Sequence, residues 1–316
     1  MQKVVLFGEC MLELRQGGTH SMSHSFAGDA FNTAVYLKRL FGNMDVSFMT
    51  AIGDDSISKQ MHENCLNEGL NNQFVFTDNE RALGIYLVQT DEQGERSFVY
   101  WRENSAARHV MQHVTQNVID QLSTADLFFF SGISLAVIVP EQRAVFWDML
   151  KQLKQAGVKI VFDPNYRARL WRSEDEAKVE FEQACVLSNL LLPGIEDFSQ
   201  LYQLTTAEQI VEFCKPFQIE EMIIKHGAES LYIVEQEHIE EVKITPSTKV
   251  IDTTSAGDSF NGVYLGASLA GYEARRAVEL ASAAASCVIQ HPGAIAPAQA
   301  FGHYMRQRFG ELSFAG

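Results

Sequence analysis

Short apolar, β-branched runs recur along the chain, separated by longer stretches in which apolar residues return at helical spacing. This alternation predicts β-α units building a mostly parallel sheet with helices on both faces, a three-layer α/β/α arrangement. The runs predict core strands at Val4–Phe7, Ser47–Ala51, Leu127–Ser131, Lys159–Asp163, Leu190–Pro193, Met222–Lys225 and Leu231–Val234. The amphipathic stretches predict helices at Asn32–Leu40, Ile57–Gly69, Pro140–Gly157, Asp175–Leu187, Ala207–Phe213, Gly257–Ala270 and Glu273–Gln290. Pro140 suits a helix start and Gly157 a helix end.

One stretch breaks the rhythm. Leu83–Gln89 and Glu95–Arg102 flank the polar Thr90-Asp91-Glu92-Gln93-Gly94, the pattern of a β-hairpin. Met11–Arg15 and Ser21–Phe26 add short strands to the same small sheet. Residues of about 11–27 and 82–104 are therefore expected to form a lid inserted into one domain spanning 1–316. A small sheet cannot bury both of its faces alone, so the lid is also the expected contact of a homo-oligomer.

Lys plus Arg number 25 against 40 Asp plus Glu, a net charge of −15, and no basic run could track a phosphate backbone; nucleic acid is not an expected partner. The N-terminus lacks the apolar core of a signal peptide, and runs such as Leu127–Phe130 are too short to span a bilayer, so no membrane association and a cytoplasmic location are expected. Cys10, Cys65, Cys185, Cys214 and Cys287 are scattered, without C-x-x-C or mixed Cys/His spacing, and read as reduced core thiols.

Two segments carry candidate chemistry. In Asp252-Thr253-Thr254-Ser255-Ala256-Gly257-Asp258, small residues precede a helix, so a phosphate can approach the backbone N–H groups of Ser255, Ala256 and Gly257 at its positive end. Asp258 then stands where a carboxylate can take a proton from a substrate hydroxyl, although Asp is also favoured in any first helical turn. In Phe26-Ala27-Gly28-Asp29-Ala30-Phe31-Asn32, Gly28 opens the backbone to a ligand, and Asp29 and Asn32 either bind sugar hydroxyls or cap the helix. The first β-α turn has no G-x-G-x-x-G, which argues against a dehydrogenase.

Together with Ile52-Gly53-Asp54-Asp55, Asp163-Pro164-Asn165-Tyr166-Arg167 and Lys225-His226-Gly227-Ala228-Glu229, these segments resemble the ribokinase-like (PfkB-type) sugar kinases over nearly the whole chain. The resemblance implies a ribokinase-like fold, ATP with Mg²⁺, and Asp258 as the base. It places the sugar on Gly28, Asp29, Asn32, Tyr86, Tyr100, Arg102 and Arg167, and the nucleotide on Asn165, Lys225, Gly227, Ser255, Ala256 and Gly257. Within the family the chain looks most like kinases of 2-keto-3-deoxy sugar acids. Two arginines suit an acidic substrate, because a guanidinium binds a carboxylate through paired hydrogen bonds. Kinases of fructose, ribose or a related sugar acid, and a non-catalytic sensor on the same fold, stay open. Ala27 and Ser255 stand where the family commonly has Gly, and Phe41 is an extra residue before Gly42. Pro193-Gly194-Ile195-Glu196 lacks the Asn of the family's N-x-x-E, so no metal ligand is assigned and Glu196 is the candidate for the Mg²⁺ network.

Overall fold

The apolar runs become a nine-stranded sheet in the computed structural model, which describes residues 1–18, 20–90, 96–236 and 238–310. Its order is His238–Lys243, Ser230–Glu235, Glu221–His226, Leu190–Leu191, Lys159–Asp163, Leu127–Ser131, Lys3–Phe7, Asp45–Ile52 and Val75–Thr77. Pairings from Glu221–His226 through to Val75–Thr77 are parallel, and the two strands at the other edge are antiparallel.

Side-chain alternation explains the three layers. Along Leu127–Ser131, Leu127 and Phe129 enter one core cluster with residues of helices Asp29–Leu40, Ala256–Leu269 and Ala274–Val288. Phe128 and Phe130 enter the other, with Phe146, Trp147 and Phe181 from helices Arg143–Gln155 and Glu174–Leu187. Both faces are covered, so the strand reads as continuously apolar. Emptying one such site, as in Phe130→Ala, is expected to destabilise the fold by roughly 3–5 kcal/mol.

The predicted elements lie within a few residues of those observed, with instructive differences. Pro140 starts a short 3₁₀ turn, Pro140–Gln142, and the α-helix proper is Arg143–Gln155, closed by Gly157 at φ +88°. The strand expected to reach Pro193 ends at Leu191, after which the Pro193 carbonyl still accepts the Lys225 N–H at 2.7 Å. The sequence reading missed the strands Val75–Thr77 and His238–Lys243 and the helices Gln116–Leu122, Gly132–Val137, Ile195–Tyr202 and Ala298–Phe309. His238–Lys243 is a largely polar edge strand and carries no buried face to mark it.

The lid segments pair as a second, four-stranded sheet ordered Ser21–Ala27, Met11–Gly18, Ile85–Thr90, Arg96–Trp101; its middle pair is parallel. The expected hairpin turn at 91–95 lies outside the described residues. Register places Leu14, Leu87 and Val99 in one cross-strand row and Leu12, Ile85 and Trp101 in the next, an apolar outer face on which Trp101 is 52% exposed. All five cysteines are buried and unpaired with one another. Among the described residues, no helix is long and apolar enough to cross a membrane.

Candidate active site

Two helices meet tightly because one of them carries a glycine at the crossing. A Cβ on Gly262 would lie 2.3 Å from the Thr33 carbonyl oxygen, so only glycine lets the helix Ala256–Leu269 approach Asp29–Leu40 this closely. The approach brings Asn32 Nδ2 to 2.8 Å from Asp258 Oδ2. Burial raises the Asp258 carboxyl to about 7, the nearby Asp29 charge adds to the rise, and the Asn32 amide opposes it. The Ser255 hydroxyl also favours the ionised form, although it makes no well-directed hydrogen bond.

The helix-capping alternative for Asp29 and Asn32 does not hold. Gly28 is the cap residue, in extended backbone, and no side chain caps the helix; Asn32 Oδ1 receives only a 3.4 Å contact from the Gly28 N–H. Gly28 is needed for a reason other than a ligand, since a Cβ there would sit 2.0 Å from the Glu9 carbonyl oxygen. Asp29 accepts from the Ser131 hydroxyl and, at 3.2 Å, from the Asn165 amide; burial raises its carboxyl as well.

Ser255 leads into the second helix in the left-handed region, at φ +64°. The Ala256 N–H is donated to the Thr253 carbonyl at 3.2 Å. The Ala256 N–H is thereby engaged, and Gly257 and Asp258 follow it in the first turn of the helix. Gly227, at φ +55°, makes the turn that follows Glu221–His226, with no atom near its absent Cβ.

The floor of the cleft holds residues that motif reading did not single out. Asp163, at the end of its strand, accepts from Asn261 Nδ2 at 2.7 Å and lies 3.3 Å from Lys225 Nζ, which also reaches Asn261 Oδ1 at 3.2 Å. Lys225, expected at the nucleotide, is thus tied into the floor. Glu196 is exposed and lines the cavity; its neighbour Asp197, which lines it too, accepts from the Tyr166 N–H at 2.8 Å and the Gly194 N–H at 3.2 Å. Burial and the Asp163 charge push Asp197 up to about 6, against the pull of Lys225 and Arg167. An acidic residue at the third position of a helix was the available signal for Asp197.

On the lid side, the two arginines expected at the substrate both line the cavity, and each has a partner. Arg102 is buried, 8% exposed, against an equally buried Glu9, with which it forms an ion pair. The Arg167 guanidinium donates to its neighbour's carbonyl, Tyr166 O, at 2.8 Å and lies 3.9 Å from Asp197. Arg169, not anticipated, stacks over the Tyr100 ring at 4.1 Å, and Tyr100 stacks on Tyr86 at 5.7 Å. The Tyr86 hydroxyl is bonded to the buried Glu13, which also holds Ser25 and Arg15; Arg15 lies 3.7 Å from Asp252, joining lid to loop.

The cleft holds a cavity of about 800 Å³, and every residue that the sequence assigned to proton transfer, sugar or nucleotide lines it. Glu9, Asp163, Arg169 and Asp197 line it as well. No cluster of three metal-binding side chains occurs among the described residues. The carboxylates of Asp163, Glu196 and Asp197 on the cavity wall fit Mg²⁺, which keeps much of its water and is held by one or two carboxylates plus substrate phosphates.

The model of the pfkB family of carbohydrate kinases matches residues 1–300. A 2-dehydro-3-deoxygluconokinase of Haemophilus influenzae is 35% identical over 308 residues, covering 96% of this chain and 98% of its own. Among solved structures, a 2-dehydro-3-deoxygluconokinase from Thermotoga maritima superposes with a TM-score of 0.84 at 22% identity, covering 96% of this chain and 98% of that one. An Escherichia coli protein described as a ribokinase II, solved with ATP and Mg²⁺, does so with a TM-score of 0.83 at 19% identity, covering 97% of this chain and 100% of that one. With the ribokinase-like fold and this cleft, the match establishes that the chain belongs to the pfkB family of carbohydrate kinases.

Proposed function

We propose that this kinase transfers the γ-phosphoryl group of ATP to the 6-hydroxyl of 2-keto-3-deoxy-D-gluconate, giving 2-keto-3-deoxy-6-phosphogluconate and ADP. The supporting observation is a cavity that joins the Asp258–Asn32 pair to a wall bearing Arg102, Arg167 and Arg169, in a chain 35% identical to a 2-dehydro-3-deoxygluconokinase. Cationic side chains in that number suit an acid and have no counterpart in the needs of a neutral sugar.

Asp258 accepts the hydroxyl proton as the substrate oxygen forms its bond to the γ-phosphorus and the bond from that phosphorus to the β,γ-bridging oxygen breaks. Asn32 orients the carboxylate through its 2.8 Å hydrogen bond. The turn Ser255–Gly257 and the leading N–H groups of its helix stabilise charge on the phosphoryl oxygens. Asn165, Lys225 and Gly227 border the nucleotide, while Gly28, Asp29, Tyr86 and Tyr100 shape the sugar site. Asp163, Asp197 and Glu196, which all line the cavity, are the carboxylates that would hold Mg²⁺ carried with ATP, and the ion would neutralise phosphate charge there. The lid sheet carries Tyr86, Tyr100 and Arg102 onto the substrate and excludes water.

The apolar outer face of that lid is proposed to pair with a second copy of the chain; light scattering that returned only monomer at micromolar concentration would remove this part. An ATP-consumption assay against 2-keto-3-deoxygluconate, 2-keto-3-deoxygalactonate, gluconate, fructose and ribose tests the substrate. Turnover confined to a neutral sugar would replace the reading with another sugar kinase, and none at all would favour a sensor.

A further inference from the structure

We infer that Arg15 is a positioning residue: it ties the lid sheet to the turn Asp252–Ser255, so that a lid lying over the sugar also fixes the turn that faces the phosphoryl group. The inference rests on the proposed placement of sugar and phosphoryl group, and not on which sugar is phosphorylated.

The lid end of this link is the buried carboxylate of Glu13, in the strand Met11–Gly18. It accepts from the Tyr86 hydroxyl, from Ser25 Oγ at 2.9 Å and from Arg15 Nε at 2.6 Å, and all of these partners belong to the lid sheet. Tyr86 lies in the neighbouring strand, lines the cavity and stacks on Tyr100. Glu13 therefore holds the aromatic wall of the sugar site from behind. Arg15 then leaves the sheet. Its Nη1 lies 3.7 Å from Asp252 Oδ2, and a Cβ on Gly293 would lie 3.6 Å from its Nη2.

The other end is the turn itself. The Asp252 side chain is wholly buried and accepts from the Thr254 N–H at 2.9 Å and the Gly293 N–H at 2.6 Å. The first of these bonds shapes the residues just before Ser255, where the backbone turns left-handed and the helix bearing Asp258 begins. One guanidinium thus stands between two buried carboxylates on separate elements. Its rigid fork of donors can face both at once, which a single ammonium group does less well. The Glu13 bonds do not depend on where the lid lies, whereas the approach to Asp252 exists only when the lid strand lies beside the turn. A sugar that draws the lid down therefore steadies the turn, and by reciprocity a nucleotide that orders the turn favours the closed lid.

The test measures, by titration calorimetry on the full chain, binding of a non-hydrolysable ATP analogue with and without the sugar that the protein phosphorylates. In the unaltered protein the sugar is expected to tighten the analogue roughly 5-fold or more. Arg15→Met and, separately, Asp252→Asn are each expected to bring that factor close to one and to lower kcat roughly 10–100-fold. The double variant is expected to be no worse than either, because both changes remove the same link. Arg15→Lys is expected to recover part of the loss. Lys159→Met, which removes a 3.3 Å contact with Glu221 at the start of its strand, is expected to lower the melting temperature and leave the factor as it is. A factor of one in the unaltered protein, a factor unchanged in Arg15→Met, or losses that add in the double variant overturns the inference and leaves the placement of the substrates standing. Near-normal turnover in Asp258→Asn overturns both.

Discussion

Asn32 and Asp258 stand 226 residues apart in the chain, yet the Asn32 amide donates to the Asp258 carboxylate at 2.8 Å. The bond gives the proposed base a fixed direction. It also favours the charged form of a carboxyl that burial pushes up to about 7.

The first expectation concerns pH. A base must be ionised to accept a proton, so kcat/KM should rise with pH through about 7 and level off above it. Asn32→Ala removes a hydrogen bond to the ionised form and should move the rise to higher pH. Asp258→Asn should lower kcat by roughly 10²–10⁴-fold with ATP binding retained, and near-normal turnover in that variant would remove Asp258 from the mechanism.

The same group makes a stability prediction of definite sign. Its folded-state value lies above the ordinary carboxylate range, so the native state holds the proton more tightly than the unfolded chain. The stabilisation this provides is complete below that ordinary range and is lost as pH rises through about 7. Asp258→Asn should therefore raise the melting temperature more at pH 8 than at pH 5.

Gly262→Ala should force the two helices apart, because the new methyl group would meet the Thr33 carbonyl at 2.3 Å. A loss of roughly 1–3 kcal/mol is expected in denaturant unfolding. Lower kcat and an altered pH profile should accompany it, as the Asn32–Asp258 contact lengthens. Stability lost without any change in the profile would separate the packing role from the site.

Ser255 holds a left-handed backbone at φ +64°, a conformation that glycine adopts without strain. Ser255→Gly should stabilise the protein by roughly 0.5–1 kcal/mol, the strain relieved exceeding the added freedom of the unfolded chain. Ser255→Val should destabilise it, and thermal melts of the two variants decide the matter.

Lys225→Met leaves the Asp163 carboxylate, 6% exposed, with Asn261 but without its cation. The expected loss is roughly 3 kcal/mol, measurable by urea unfolding at pH 7.

Much of the fold was legible because strand and helix periods are local properties. Leu127–Ser131 and Lys159–Asp163 were read without error, since each is an apolar run bounded by polar residues. His238–Lys243 was invisible because an edge strand buries too little to impose a pattern. Pro140–Gly157 was read as one helix although its first turn is 3₁₀, a distinction that periodicity does not carry.

Local pattern was enough for most of the core strands and the helices that cover them, their β-α order, the small-residue turns before two helices, and the position of Asp258. Which charges are paired in the interior followed from the fold alone. Arg102 and Arg169 look alike in a sequence, but Glu9 neutralises the first in the interior and Tyr100 holds the second at the cavity wall. Likewise Asp197, at the start of its helix, is held by the Gly194 and Tyr166 N–H groups, while Glu196 beside it has its side chain exposed. The reason is physical: pairing, burial and the resulting pKa depend on neighbours that the chain brings together from hundreds of residues away, and a local pattern records none of them.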